Sequence, residues 1–318
     1  MKLRNTISGP IKDGSIRTKH LKSFKTRLTP MSIKKQFKKR HLLFIAVFGY
    51  LLFANSCMTM RTSSTKTIAY FQEKQVTYLD ETLELQGKEL HYIQTGKQDA
   101  PTLVFVHGSP GSWDAYKTYL TDSSLVDNFR IIAPDRPGFG KSNFRRSMGL
   151  KPQAIMLNEL LMQLDNGRPY TLIGHSYGGP LIVKMALERP EQYKNLVILA
   201  GALDPAAEKP EKWRKPLTWA PLKYLVPGAL KPSNDELWML KKDLKAMQPQ
   251  LNQLTQRTLI VHGKEDKLVP YQNVPFMEKH FTSVDSLKVI SIEKENHFIV
   301  WNQEKLVKQA LLEWVLPN

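Results

Sequence analysis

From residue 102 onward the chain alternates short, uniformly apolar runs with stretches of helical length. The runs are 102–106 (TLVFV), 130–134 (RIIAP), 170–174 (YTLIG), 195–200 (NLVILA), 258–262 (TLIVH) and 287–293 (LKVISIE). Runs of this kind suit strands covered on both faces. Their alternation with helical lengths predicts an α/β fold with a doubly wound, mainly parallel sheet that binds ligands beyond the carboxyl ends of its strands. Upstream the pattern differs: 76–86 (VTYLDETLELQ) and 88–96 (KELHYIQTG) alternate apolar and polar positions on either side of Gly87. Two such segments predict an antiparallel hairpin at one edge of the sheet.

Helical signals fill the gaps. Residues 177–188 form an apolar segment that stops at Arg189-Pro190, where proline disfavours continuation, and 306–315 closes the chain with apolar residues at helical spacing. Between the strands ending at Ala200 and starting at Thr258 lies an insertion too long for an ordinary crossover loop. It holds Pro205, Pro210, Pro216, Pro221, Pro227, Pro232 and Pro249, with Trp213, Trp219 and Trp238. The capping box Ser233-Asn-Asp-Glu236 predicts a helix start, with Leu237, Leu240, Leu244 and Met247 on one face. We read 204–255 as a helical lid, whose apolar face either meets substrate or forms the lid's own core.

The charge adds an N-terminal feature. Of a formal net charge of +17, residues 1–41 carry +12, leaving +5 for the rest, so no basic face of the main body argues for nucleic acid. An apolar run of thirteen residues follows, 42–54 (LLFIAVFGYLLFA). As helix it reaches about 20 Å, against roughly 30 Å of bilayer hydrocarbon. A positive flank, a short apolar centre and then Cys57, the only cysteine, resemble a bacterial lipoprotein signal, although Ala54 stands where leucine is usual. This divides the chain into a basic extension, 1–30, upstream of a second start at Met31; a signal, 31–56; a polar tether, 57–67; and a folded domain, 68–318. The resemblance implies lipidation at Cys57, export, and a membrane-held domain outside the cytoplasm. An uncleaved anchor and organelle targeting are the alternatives.

The chemistry centres on Gly174-His-Ser176-Tyr-Gly178-Gly, set between an apolar run and a helical segment. Glycines two residues to either side allow the sharp strand-to-helix turn that lifts a serine hydroxyl above a sheet. Other motifs also follow strands: His107-Gly-Ser109-Pro-Gly, Asp135-Arg-Pro-Gly-Phe-Gly140-Lys-Ser142, Glu265-Asp266 and Glu295-Asn-His297. The second ends like a phosphate loop, but Asp135 stands where a Walker motif needs its first glycine. His107, His175 and His262 end strands and are read as packing rather than metal-binding residues.

The order Ser176, Asp266, His297, with HGSPG upstream and a lid between late strands, resembles the α/β-hydrolase fold family over residues 75–318. The resemblance implies Ser176 as nucleophile, His297 as general base, Asp266 as its orienting acid, and the Ser109 and Tyr177 N–H groups as oxyanion donors. Glu265 and Asp204 are the alternatives for the acid, and Tyr177 and Asp114 are candidate substrate contacts. It implies hydrolysis of a small-molecule ester of a small or medium acyl group through an acyl-serine, without cofactor or metal. A serine peptidase, a carbon–carbon bond hydrolase, an acyltransferase, a perhydrolase and a catalytically silent binding protein are the other readings. A serine at the nucleophile position sets the chain apart from epoxide hydrolases and haloalkane dehalogenases, which attack with a carboxylate.

Overall fold

The computed structural model describes residues 31–56, 58–85, 87–142, 148–209 and 211–316. The expected basic extension, 1–30, and the expected lipidation site, Cys57, lie outside these residues. Two compact units divide at Phe48 and Gly49, and the sheet and the candidate site belong to the second.

Eight strands form one sheet: β1 (Tyr78–Leu85), β2 (Lys88–Gly96), β3 (Thr102–Val106), β4 (Arg130–Pro134), β5 (Tyr170–His175), β6 (Tyr193–Leu199), β7 (Arg257–Gly263) and β8 (Leu287–Ile292). Their order is β1-β2-β4-β3-β5-β6-β7-β8. β1 pairs with β2, and β2 with β4, antiparallel; every later pairing is parallel. The alternating hairpin thus sits at one edge, as its pattern requires. Of the uniformly apolar runs, β3, β4 and β5 lie inside, with all five residues of β3 and of β4 and all six of β5 buried; 287–293, also expected to be covered on both faces, instead supplies the other edge, β8, which is only half-buried.

The helices are α1 (Met31–Ser56), α2 (Ser64–Lys74), α3 (Ser123–Val126), α4 (Leu150–Gln163), α5 (Gly178–Glu188), α6 (Leu230–Met247), α7 (Asn273–His280), α8 (Ile299–Asn302) and α9 (Glu304–Val315). Two apolar cores flank the sheet. One unites α4, α5 and α6 through Leu157, Leu181 and Leu244; the other joins α2 and α9 through Phe71 and Leu311. Burial on both faces is what uniformly apolar strands demand.

Two further expectations change. Residues 64–67, read as tether, form the first turn of α2, capped by the Ser63 side chain, with Thr67 buried. The preceding residues are also fastened, since Thr62 Oγ1 donates to Asp114 Oδ2 at 2.7 Å. The helix of the insertion starts at Leu230, so Ser233 and Glu236 lie inside it and cap nothing. Their side chains are engaged elsewhere, as described below.

The expected signal segment is one helix, α1, whose apolar side chains from Leu42 to Phe48 are exposed. No described helix is long and apolar enough to cross a membrane. In the second unit, the end of α1 is fastened to the insertion: Tyr50 Oη donates to the Leu225 carbonyl at 2.7 Å, and the Gly228 N–H to that of Ala54 at 2.7 Å.

Candidate active site

Ser176 occupies the turn between β5 and α5 with φ of 56°, in the left-handed region that a β-carbon disfavours. Its N–H donates to the Leu199 carbonyl at 3.0 Å, pinning the turn to the end of β6. The neighbouring glycines are required by close approach. A β-carbon at Gly174 would lie 2.3 Å from the Gly178 carbonyl oxygen, and one at Gly178 would lie 2.2 Å from that of Val106. The turn therefore packs directly on β3 and sets Ser176 in the wall of a cavity of about 1500 Å³.

Asp266 follows β7 and His297 follows β8. The His297 Nδ1 donates to Asp266 Oδ2 at 2.7 Å, while Asp266 Oδ1 accepts from the N–H groups of Leu268 (2.9 Å) and Val269 (2.8 Å). Burial works to raise the Asp266 pKa, but the hydrogen bond and charge of His297 and the backbone donation outweigh it, leaving the group below its ordinary value. With Nδ1 engaged, the ring nitrogen left for other partners is Nε2. His297 lines the same cavity as Ser176. Of the alternative acids, Glu265 is exposed, and Asp204 Oδ1 accepts from the Ala206 N–H at 2.7 Å.

The other strand-end histidines hold the frame. His175 Nε2 donates to the His297 carbonyl at 3.0 Å, and its ring lies 4.8 Å from that of His297. Burial lowers its pKa to about 3, so it stays neutral at physiological pH and places no standing charge beside His297. His262 Nε2 donates to the Val269 carbonyl at 2.9 Å, and burial lowers its pKa too. His107 Nδ1 donates to the Gly108 carbonyl, and its Nε2 accepts from the Arg136 N–H at 3.0 Å. Each ring is thus tied to backbone.

Ser109 lies in the cavity wall with Gly108 and Pro110, and Tyr177 precedes the first turn of α5. Among the described residues, neither backbone N–H donates to a protein acceptor. The Tyr177 side chain is buried, its ring 4.6 Å from the Arg136 guanidinium. Asp114 also lines the cavity, its carboxylate accepting from Thr62 and Ser112.

Of the insertion, Leu237 and Leu240 line the cavity, whereas Leu244 and Met247 pack in the core, so the predicted stripe serves both purposes. Leu217, Leu225 and Leu230 complete an apolar wall. Charged and polar residues of the insertion, Glu208, Lys209, Glu211, Arg214, Ser233 and Asn234, share this side of the cavity with the leucines.

Three residues next to this site were given no part in it by the sequence: Arg136, Gln153 and Glu236, the last read only as part of a helix cap. Arg136 and Glu236 form a bidentate pair, Nη1 to Oε2 at 2.9 Å and Nη2 to Oε1 at 2.8 Å, and Gln153 bonds both. The DRPGFG stretch was the available signal for Arg136. Its carboxylate, Asp135, accepts from the N–H groups of Trp113 (2.9 Å) and Lys141 (2.8 Å) and contacts His91 Nδ1 (2.8 Å). Gly140 has φ of 48°, and a β-carbon there would sit 2.0 Å from that carboxylate. The loop is folded around its own acid instead of around a phosphate.

A family model described as the alpha/beta hydrolase fold matches residues 101–222, and one described as the prolyl oligopeptidase family matches 162–317. The "Magnesium-chelatase 30 kDa subunit" of Rhodobacter capsulatus is 38% identical over 114 residues, covering 35% of this chain and 38% of the relative. The match therefore spans well under half of that curated protein's length. Among solved structures, an esterase from Exiguobacterium antarcticum superposes with a TM-score of 0.61 at 19% identity, covering 74% of this chain and 99% of its own. A membrane phospholipase A superposes with a TM-score of 0.59 at 18% identity, covering 89% and 98%.

Proposed function

We propose, from the premise that this chain belongs to the α/β-hydrolase fold family, that it is a serine hydrolase cleaving small-molecule esters of small or medium acyl groups. The observation that carries this reading is the Asp266–His297 hydrogen bond beside a cavity that Ser176 also lines. Ser176 attacks the ester carbonyl while His297 Nε2 takes its proton, and Asp266 stabilises the imidazolium. The N–H groups of Ser109 and Tyr177 receive the oxyanion, each donor worth about 3 kcal/mol in known hydrolases. His297 then returns the proton to the leaving alcohol and later activates the water that releases the acyl group. The apolar wall formed by Leu217, Leu225 and Leu237 suits the acyl chain.

A fluorophosphonate probe is expected to label wild-type protein at Ser176, and Ser176→Ala is expected to remove both labelling and turnover of p-nitrophenyl esters. Turnover that survives this substitution overturns the reading. A serine peptidase is the second reading, favoured by the match of residues 162–317 to the prolyl oligopeptidase family. Ser109 stands where proline-releasing members of the fold usually carry glycine, which counts against it. Faster cleavage of aminoacyl anilides than of p-nitrophenyl esters would decide for the peptidase.

We further propose that residues 31–56 are an export signal and that the protein is held at a membrane through a lipid on Cys57. Supporting this, α1 exposes its apolar run, and the insertion fastened to its end leaves Trp213 (55%), Trp219 (61%) and Tyr224 (56%) exposed. Arg214, Lys215 and Lys223 lie over these rings, a combination suited to the headgroup level of an anionic bilayer. The full chain is expected to float with phosphatidylglycerol vesicles, and a Trp213→Ala/Trp219→Ala variant to float less. Full-length protein that remains unbound at low salt, with an unmodified Cys57 by intact mass, refutes the assignment.

A further inference from the structure

The DRPGFG loop and the SNDE segment of the insertion are two motifs for which the proposed chemistry has no use, and in the fold they meet. Arg136 is fully buried, and all five of its N–H donors face acceptors. Nε donates to the His107 carbonyl at 2.9 Å, Nη2 to the Gly108 carbonyl at 2.9 Å, and the remaining donors to Glu236 and Gln153. The rings of Phe139 and Tyr177 each lie 4.6 Å from the guanidinium. One turn of α6 before Glu236, Ser233 Oγ accepts from Ser109 Oγ at 2.8 Å.

We propose that Arg136 and Glu236 are positioning residues: a buried tie that sets the orientation of the Gly108–Ser109 peptide, and hence of the Ser109 N–H, and couples it to α6. The inference rests on the reading of Ser176 as nucleophile. Its physical basis is the planarity of the peptide group, in which C=O and N–H point in opposite directions across a trans bond. The Gly108 carbonyl is held from the protein interior by Arg136 Nη2 and His107 Nδ1. The Ser109 N–H, at the opposite edge of that peptide group, is thereby turned away from Arg136, and Ser109 lines the cavity. A carbonyl that accepts from a guanidinium also polarises its own N–H, making it a stronger donor. Glu236 balances the cation, so Arg136 can stay buried among carbonyls without requiring a bound anion. Because Glu236 belongs to α6, a shift of this helix moves the oxyanion turn with it.

The test compares wild-type protein with Arg136→Met/Glu236→Met, which removes both charges at similar volume, and with Glu236→Gln, which is measured in its place should the double variant fail to fold. Four readouts are taken: p-nitrophenyl ester kinetics, affinity for a trifluoromethyl ketone that forms a tetrahedral adduct on Ser176, the pH profile of kcat, and amide exchange across residues 107–112. Loss of an oxyanion donor costs roughly 10²–10³ in kcat. A misaligned donor is expected to cost about 10- to 100-fold, with KM little changed and ketone affinity falling by the same factor as kcat. The midpoint of the pH profile stays in place, since Asp266 and His297 are untouched, and exchange at Ser109 accelerates. A folded variant whose kcat, ketone affinity and Ser109 exchange all match wild type overturns the proposal, as does a lost kcat with unchanged ketone affinity. Wild-type protein that neither labels with fluorophosphonate nor turns over ester instead removes the serine-hydrolase reading, and the exchange measurement then decides whether the tie holds the turn.

Discussion

Asp266→Asn is expected to lower kcat about 10⁴-fold while leaving the protein folded, the scale seen when the orienting acid of a serine triad becomes an amide. The asparagine Oδ1 can still accept from the Leu268 and Val269 N–H groups, so the loop after β7 keeps its anchors. The other carboxylate oxygen becomes an NH₂ facing His297 Nδ1, so donor meets donor unless the ring changes tautomer. In the changed tautomer Nε2 carries the hydrogen and cannot accept one from Ser176. The same variant reports on stability. The folded pKa of Asp266 lies below its ordinary value, so its contribution is present above about pH 4 and is lost as pH falls through the lower folded value. Asparagine removes that dependence, and urea midpoints measured between neutral and acid pH should fall less steeply for the variant. A kcat within tenfold of wild type removes Asp266 from the proposed triad.

The second large effect is on stability. Glu236→Ala is expected to cost about 3–5 kcal/mol, because it leaves the fully buried Arg136 guanidinium without its carboxylate. Deleting an exposed pair gives a contrasting control: Lys264 and Glu293 make a contact at 2.6 Å on the surface, where solvent screening leaves such a pair little effect on stability. Chemical denaturation with both variants checks the difference. A Glu236→Ala midpoint close to that of the Glu293→Ala control would mean that water or another side chain reaches Arg136.

The fold was legible because its signals are local. A strand buried on both faces must be apolar over most of its length, and β3, β4 and β5 are spelled that way, with Thr102, Arg130, Thr171 and His175 as their buried polar positions. β1 alternates because it is the outer, half-exposed edge, whereas β2, paired on both sides, is buried from Leu90 to Thr95 despite its alternating spelling. The Ser176 turn could also be read, since its φ of 56° and its packing on β3 constrain the spelling to small neighbours at Gly174 and Gly178. The candidate acid was less so. Glu265 and Asp266 are adjacent in sequence, and only the path of the loop, with the Leu268 and Val269 N–H groups turned onto one of them, distinguishes the pair.

Local patterns misled where one spelling serves two structures. Ser233-Asn-Asp-Glu236 has the form of a capping box, but Pro232 fits an early turn of a helix, and α6 already runs from Leu230. Residues 64–67 lack an apolar period, yet Ser63 caps α2 there and Phe71 draws the helix into the core.

The amino-acid order by itself determined which segments become strands and where the chain can turn sharply enough to present a serine, because those requirements fall on residues a few positions apart. Tertiary structure alone decided that Arg136 would meet Glu236, 100 positions away, behind the peptide that precedes Ser109. A buried charge pair leaves no periodic trace in sequence. Its partners are chosen by where two loops and a helix come to rest, and by the high cost of leaving either charge alone in the interior.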